Sequence, residues 1–361
     1  MLFLGAGASK AFGIPTMAEF TEAVLTGIES IPPDDPTGKI LKDYASKIRE
    51  IQDKARSWGF NPDIEAILSI LQGRADPKKA LNDLGPLLTV FSQEYRNMTP
   101  DTLASVAVAE IEQIIYKRCS QLDINRAIKL YGELWDYLSQ NLTIPLGGGR
   151  SILRQTVQIG QSGLQRVFTT NYDRSVETFL VRRGLSFSDG FQLDGVGDNI
   201  FTGNWGGGTN LYKMHGSINY YQREDGRIVR SDAPLGNVDA YGREIKGRMM
   251  IYPTGEKYAS RSPFYEYLGQ LRQALFAEQV CIVIGYSFRD VPINNAFLDG
   301  LQRNHNLMVL VVGPTADKVV GRIDKTMRDR MMPLQVAFGT EERVPEKIGD
   351  AFKMGGVVAI T

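Results

Sequence analysis

The sequence predicts an α/β fold: a Rossmann-like, doubly wound, mostly parallel sheet that carries a large helical insertion. Three observations lead there. Short apolar runs such as 280–284 and 307–312 alternate with segments of helical period, as expected for strands buried on both faces. A glycine-rich turn, Gly5-Ala6-Gly7-Ala8-Ser9, directly follows the first apolar run. From Gly38 to Gln140 the strand signal fades, while apolar residues recur at helical spacing.

The first strand is read at 2–4. Ile14-Pro15-Thr16 then opens a helix in which Thr16 caps and Glu19 completes a capping box, with Phe20, Val24 and Leu25 on the apolar face. Beyond Ile31-Pro32-Pro33-Asp34-Asp35-Pro36 the character changes. Ile40, Leu41, Tyr44, Ile48 and Ile51 mark one amphipathic helix. Ile64, Ile67, Leu68 and Leu71 mark a second, with Asn61 as cap and Pro62 at its first position. Leu103, Val106, Ile111, Ile114 and Ile115 mark a third; Ile128, Tyr131, Leu134, Trp135 and Leu138 mark a fourth. Gly147-Gly148-Gly149 closes the block as a flexible joint. The reading is therefore a helical insertion, 31–150, within a nucleotide-binding domain built from 1–30 and 151–361.

Alternation then resumes. Strands are read at 166–169, 211–214, 280–284 and 307–312, and helices at 172–181, 263–276, 292–302 and from 316. Residues 219–252 read as a small polar hairpin region with Asp225-Gly226 as its turn. No internal repeat or low-complexity tract interrupts the pattern.

Composition narrows the function classes. Lys plus Arg equals Asp plus Glu, 41 each, so the balance gives no sign of a nucleic-acid or anionic-membrane partner. No apolar run approaches a membrane span, and 2–4 is too short for a signal-peptide core, so the expected compartment is the cytoplasm. With only two cysteines, Cys119 and Cys281, and no CxxC, a four-cysteine zinc site is excluded and no metal is expected. Cys281 reads as a small buried hydrophobe, and neither cysteine is a good nucleophile.

The chemistry-bearing residues sit where apolar strands end. In Gly5-x-Gly7 the first glycine permits the tight turn and the second lets backbone approach a diphosphate, but Lys10 stands where a third glycine is expected. Taken alone, this loop is more often an ordinary strand-to-helix turn. Three other strands end alike, in Thr169-Thr170-Asn171-Tyr172-Asp173, His215-Gly216-Ser217 and Gly285-Tyr286-Ser287-Phe288. Ligands of open parallel sheets lie beyond the carboxyl ends of strands, so four polar tips are expected to converge on one crevice. Asn171 or Asp173 is also well placed simply to cap the following helix, and Ser287 to stabilise a turn. His215, one of two histidines, is placed at the sheet edge with the ordinary titration range of a neutral-pH base. His305 lies in a polar loop and reads as a solvated surface residue.

The order Gly5-Ala6-Gly7-Ala8-Ser9, Gly13-Ile14-Pro15, Thr170-Asn171-x-Asp173, His215-Gly216 and Gly285-x-Ser287 resembles the sirtuin (silent-information-regulator) family. The resemblance runs from the first strand to about Pro314, leaving out the helical insertion. It implies that NAD⁺ is the substrate, with Gly5, Ala6 and Gly7 holding the pyrophosphate and Ser9 close to it. Thr170 would belong to the same pocket, and Gly285 and Ser287 would meet the adenosine ribose or phosphate. Asn171 would orient the nicotinamide ribose and the attacking water, Asp173 would hold the carboxamide, and His215 would be the general base.

Departures from the family pattern refine this expectation. Protein-deacylating sirtuins carry a cysteine zinc module and an aromatic–arginine pair after Gly-Ile-Pro, where this chain has Thr16-Met17. The chain looks more like the bacterial sirtuin-like NAD⁺ hydrolases of anti-phage defence, which share the Thr-Thr-Asn-Tyr-Asp pattern, a Gly-Tyr-Ser-Phe segment and a helical insertion. Arg289-Asp290 and Ile293-Asn294 fit that group. The expectation is an NAD⁺ glycohydrolase, gated by assembly into a homo-oligomer and working with an ATPase of the HerA type or another defence protein. NAD⁺-dependent deacylation or ADP-ribosyl transfer is the enzymatic alternative, and a non-catalytic NAD⁺ or ADP-ribose sensor is the non-enzymatic one.

Overall fold

A computed structural model describes residues 1–30, 32, 42, 45–46, 49–50, 52–53, 101–139, 143–146, 155–158, 166–250, 262–323, 325–340 and 343–354. The helix read at 64–71, most of the one read at 40–51, and the joint Gly147-Gly148-Gly149 lie outside the described residues. Contacts divide the chain into two compact units: Met1–Ile14 with Leu122–Met250 and Arg261–Thr361, and Pro15–Gln121 with Ile251–Ser260.

The described strands run, in chain order, β1 (Leu2–Leu4), β2 (Thr143–Leu146), β3 (Gln155–Gln158), β4 (Arg166–Thr169), β5 (Phe187–Ser188), β6 (Phe191–Leu193), β7 (Asn199–Phe201), β8 (Thr209–Lys213), β9 (Gly216–Arg223), β10 (Ile228–Arg230), β11 (Ile245–Met250), β12 (Val280–Ile284), β13 (Met308–Val312) and β14 (Met331–Leu334). The described helices are α1 (Ala6–Ser9), α2 (Met17–Glu29), α3 (Asp101–Ser120), α4 (Ile124–Ser139), α5 (Ser175–Arg182), α6 (Phe264–Ala277), α7 (Val291–Arg303), α8 (Ala316–Gly321), α9 (Lys325–Arg328) and α10 (Val344–Met354).

The first unit is built on a seven-stranded sheet in the order β14-β13-β12-β1-β4-β8-β5, with every pairing parallel. This is the doubly wound α/β architecture that the sequence predicts, and strand alternation shows why both faces need cover. Leu2, Leu4, Val167, Leu211, Ile282 and Ile284 join one buried cluster with Tyr131, Leu134 and Trp135 of α4 and Phe179 of α5. Phe3 points the other way, its ring 4.8 Å from that of Tyr286 and 5.4 Å from that of Phe297 on α7. Phe168 and Tyr212 stack at 4.4 Å on neighbouring strands. Such rings and branched aliphatics, each fully buried, contribute about 1.5–3 kcal/mol apiece.

A five-stranded antiparallel sheet, β11-β9-β10-β7-β6, takes in the region read as a polar hairpin and draws β6 and β7 from before it. The Asp225-Gly226 turn does join β9 to β10, but three further strands complete the sheet. Its loops are held by charge: the buried Arg223 guanidinium donates to Asp198 at 2.6 Å and lies 3.1 Å from Asp239, while Arg243 reaches both carboxylates. Hydrogen bonds from Arg243 and Tyr241 hold the Asp239 carboxyl below the usual carboxylate range, against the opposing effect of desolvation.

In the second unit the capping box at α2 forms as read, with the Thr16 N–H donating to the Glu19 carboxylate at 2.9 Å. Helices α2 and α3 pack together, and Gly27 faces Ile114. Among the described residues, no helix is long and apolar enough to cross a membrane.

Candidate active site

The sheet order decides where the polar tips go. β12, β1, β4 and β8 are consecutive and parallel, so their carboxyl ends share one edge. Hydrogen bonding continues one step past each strand: Gly5 N–H donates to Ile284 O, Thr170 N–H to Leu4 O, and Met214 N–H to Thr169 O. The four segments singled out in the sequence, 5–9, 169–173, 215–217 and 285–288, are brought side by side.

The glycines of the first loop are used against protein. A Cβ on Gly5 would stand 2.6 Å from Gly285 O and from the Tyr286 Cα, and one on Gly7 would stand 2.8 Å from the Gly285 Cα. Gly285 itself has φ +67°, and a Cβ there would fall 2.3 Å from the Ala8 nitrogen. Three glycines therefore let the β1 and β12 tips interlock, with the Gly7 N–H donating to Gly285 O at 2.9 Å. Gly5 and Ser9 are buried, whereas Ala6 and Gly7 remain half-exposed.

Asn171 ties the second tip to the first. Its Nδ2 donates to Gly5 O at 3.0 Å and to Ser9 Oγ at 2.8 Å. A carbonyl only accepts, so the amide nitrogen must face Gly5, and Oδ1 remains as the acceptor. Asp173 is buried; its Oδ1 accepts from the Ser175 N–H at 2.9 Å, while Oδ2 has no hydrogen-bond partner among the described residues. This turn directly precedes α5, whose N-cap is Arg174 and whose first residue is Ser175, not Tyr172, where the sequence placed its start.

Lys213 closes the loop from beneath. It is fully buried at the end of β8; its Nζ donates to Glu177 Oε1 at 2.9 Å, to Tyr172 O at 3.4 Å and, at short range, to Asp173 O. Sequence reading passed over this pair, although a lysine inside the run Leu211-Tyr212-Lys213-Met214 is itself a signal that a buried charge awaits a partner.

His215 is 4 % exposed, and its Nε2 lies 2.8 Å from Oδ2 of Asp290, which is 3 % exposed. The Tyr172 ring packs 6.1 Å from the imidazole. Asp290 was noted in the sequence only as part of a motif; its position just before a helix beginning Val291-Pro292 was the available sign of a cap. Ser287 and Arg289 are exposed, and with Phe288, Asn294, Phe297 and Leu298 they line part of a cavity of about 380 Å³. His305 is exposed. Burial pushes the Cys281 thiol up to about 12, which removes it as a nucleophile. Among the described residues, no three His, Cys, Asp or Glu side chains gather as a metal-binding group.

No curated protein matches the sequence. Similar solved structures include a Sir2 homolog–NAD complex, at TM-score 0.44 and 13% identity, covering 99% of this chain and 88% of that one. A triple mutant of Sir2 homologues in complex with 2'-O-acetyl ADP ribose is similar at TM-score 0.46 and 14% identity, covering 100% and 93%. Sir2Tm bound to a propionylated peptide is similar at TM-score 0.39 and 11% identity, covering 99% and 92%. Residues 165–327, which hold three of the four strand tips, match the family model of the SIR2-like domain.

Proposed function

We propose that the strand-tip crevice binds NAD⁺ and hydrolyses its nicotinamide–ribose bond, giving nicotinamide and ADP-ribose. The observation that carries this reading is the gathering of Asn171, Asp173 and His215 on one sheet edge beside the Gly5–Gly285 interlock. The match over 165–327 to the SIR2-like domain supports it.

In this reading Gly5, Ala6, Gly7, Ser9, Thr170, Gly285 and Ser287 form the dinucleotide side of the pocket, Ser9 acting through its hold on Asn171. The orphaned Asp173 Oδ2 accepts from the carboxamide NH₂. Nicotinamide leaves a cationic pyridinium as a neutral base, so no general acid is required. Water adds to the oxocarbenium-like C1', oriented by Asn171 Oδ1, and His215 takes its proton. Positioning and electrostatics supply the acceleration. One water is consumed and one proton released.

A carboxylate at Asp173 makes a specificity prediction. Nicotinic acid adenine dinucleotide places a second carboxylate where the carboxamide would sit, and like charges at such range cost several kcal/mol. Wild-type protein is expected to prefer NAD⁺ by ~10²-fold in kcat/KM. Asp173→Asn, whose amide oxygen can still accept from the Ser175 N–H, is expected to narrow that ratio. Equal use of both dinucleotides by the wild type would remove Asp173 from the carboxamide site.

The proposal extends to context: a cytoplasmic effector of anti-phage defence, gated by homo-oligomerisation and partnered by a HerA-type ATPase or another defence protein. An ungated NAD⁺ hydrolase would drain its own cell, and the block read as helical at 31–150 is more chain than a nucleotide-binding sheet requires, even though α4 within it covers the sheet. Light scattering is expected to give a symmetric oligomer, with interfaces of at least ~1,000 Å². A fully active monomer of 40.1 kDa would contradict the gating.

A further inference from the structure

We infer that Asp290 is the positioning carboxylate of the site: it fixes the tautomer of His215 so that Nδ1 is the basic nitrogen. The kinetic consequence rests on the proposed hydrolysis; the tautomer does not.

Each oxygen of Asp290 has its own task. Oδ1 accepts from the Ile293 N–H at 3.2 Å and so caps α7, and Oδ2 meets His215 Nε2 at 2.8 Å. Rotating the carboxylate away from the histidine would uncap the helix. The carboxylate also sits on a loop that is held from both ends. Gly285 is locked against Gly7 and Ala8. At the far end Asn294 donates its Nδ2 to Phe288 O at 2.7 Å and its N–H to Asp290 O at 2.8 Å. Phe288, between them, has φ 52°, a left-handed conformation that a non-glycine residue keeps only where the surroundings over-determine it.

An ionised carboxylate has no proton to give, so the hydrogen shared with His215 belongs to Nε2. A neutral imidazole carries one N–H, and the lone pair is then on Nδ1. A buried carboxylate beside the ring also stabilises the imidazolium that forms when Nδ1 takes a proton.

The amide variant isolates this role. In Asp290→Asn only the amide oxygen can accept from the Ile293 N–H, so the oxygen keeps the capping place. The amide nitrogen then faces His215 and donates to Nε2, which drives the imidazole proton to Nδ1. Shape, cap and burial are retained, and the basic nitrogen is turned the wrong way.

The test is nitrogen–proton correlation NMR of the imidazoles in the full-length protein, with nicotinamide release measured in parallel. The chain has only two histidines, so His305→Gln completes the assignment. We expect His215 to be protonated at Nε2 in the wild type and at Nδ1 in Asp290→Asn, with kcat lowered ~10²-fold or more and KM for NAD⁺ little changed. A purely structural Asp290 would leave the tautomer unmoved. An Nδ1-protonated wild type, an unswitched variant, or a switched variant with normal kcat overturns the inference. If the tautomer switches but the wild type releases no nicotinamide, the positioning assignment stands and the proposed reaction falls.

Discussion

Alanine at His215 is expected to lower nicotinamide release by ~10²–10⁴-fold, the usual contribution of a positioned proton acceptor. Asn171→Ala is expected to cost a comparable factor by a different route. Without Asn171 the water loses its orienting acceptor, and the tip of β4 loses its two hydrogen bonds to Gly5 and Ser9. The two variants differ in what else they disturb. His215→Ala leaves Asp290 capping α7 through Oδ1 but removes the imidazole 2.8 Å from Oδ2, so it is expected to lose a modest amount of stability. Asn171→Ala removes one of two donors from Gly5 O, which keeps the Ala8 N–H at 2.9 Å, and the amide partner of the buried Ser9 Oγ. Circular dichroism and urea unfolding of both variants separate lost chemistry from lost fold. If either variant folds and keeps wild-type turnover, that residue has no part in the reaction.

Methionine at Lys213 is expected to destabilise the first unit by ~3–5 kcal/mol, read from the urea midpoint at unchanged slope. The magnitude follows from what is left behind. Glu177 is buried, its Oε2 already has no hydrogen-bond partner among the described residues, and Oε1 would lose the ammonium 2.9 Å away. A buried charge without compensation is among the few causes of so large an effect, set against a typical total of ~5–15 kcal/mol. The carbonyls of Tyr172 and Asp173 lose the same donor, so the loop that carries Asn171 is expected to loosen with the fold. Combining Lys213→Met with Glu177→Leu is expected to restore much of the loss, because a hydrophobic pair of similar volume often replaces a buried ion pair at little cost. A single variant within ~1 kcal/mol of wild type would mean that the pair carries little stability.

The parallel sheet was legible in the sequence because its strands are short, apolar and bounded by turn residues; 2–4, 166–169 and 280–284 read to the residue. The placement of the candidate site residues was legible for the same reason, since polar tips on such strands have one edge to share. Strands with mixed patterns were not. Phe191-Gln192-Leu193 has one buried and two exposed residues, too brief an alternation to separate from loop. β14 contains Pro333, which argues against an interior strand, and the structure places it at the edge of the sheet. The electrostatic support of the site was also hidden. Lys213 meets Glu177 across 36 positions of sequence, and His215 meets Asp290 across 75. No periodicity encodes such a pairing; it exists only once the sheet order sets β12 and β8 on the same edge.

The most direct measurement incubates purified protein with NAD⁺ and an acetyl-lysine peptide, then quantifies nicotinamide, ADP-ribose and deacetylated peptide together. The account predicts nicotinamide and ADP-ribose in equal amounts, formed without need of the peptide and lost in His215→Ala. Nicotinamide released only with the peptide, and matched by deacetylated product, would contradict hydrolysis. NAD⁺ returned intact from the assembled, partner-bound protein would contradict catalysis altogether.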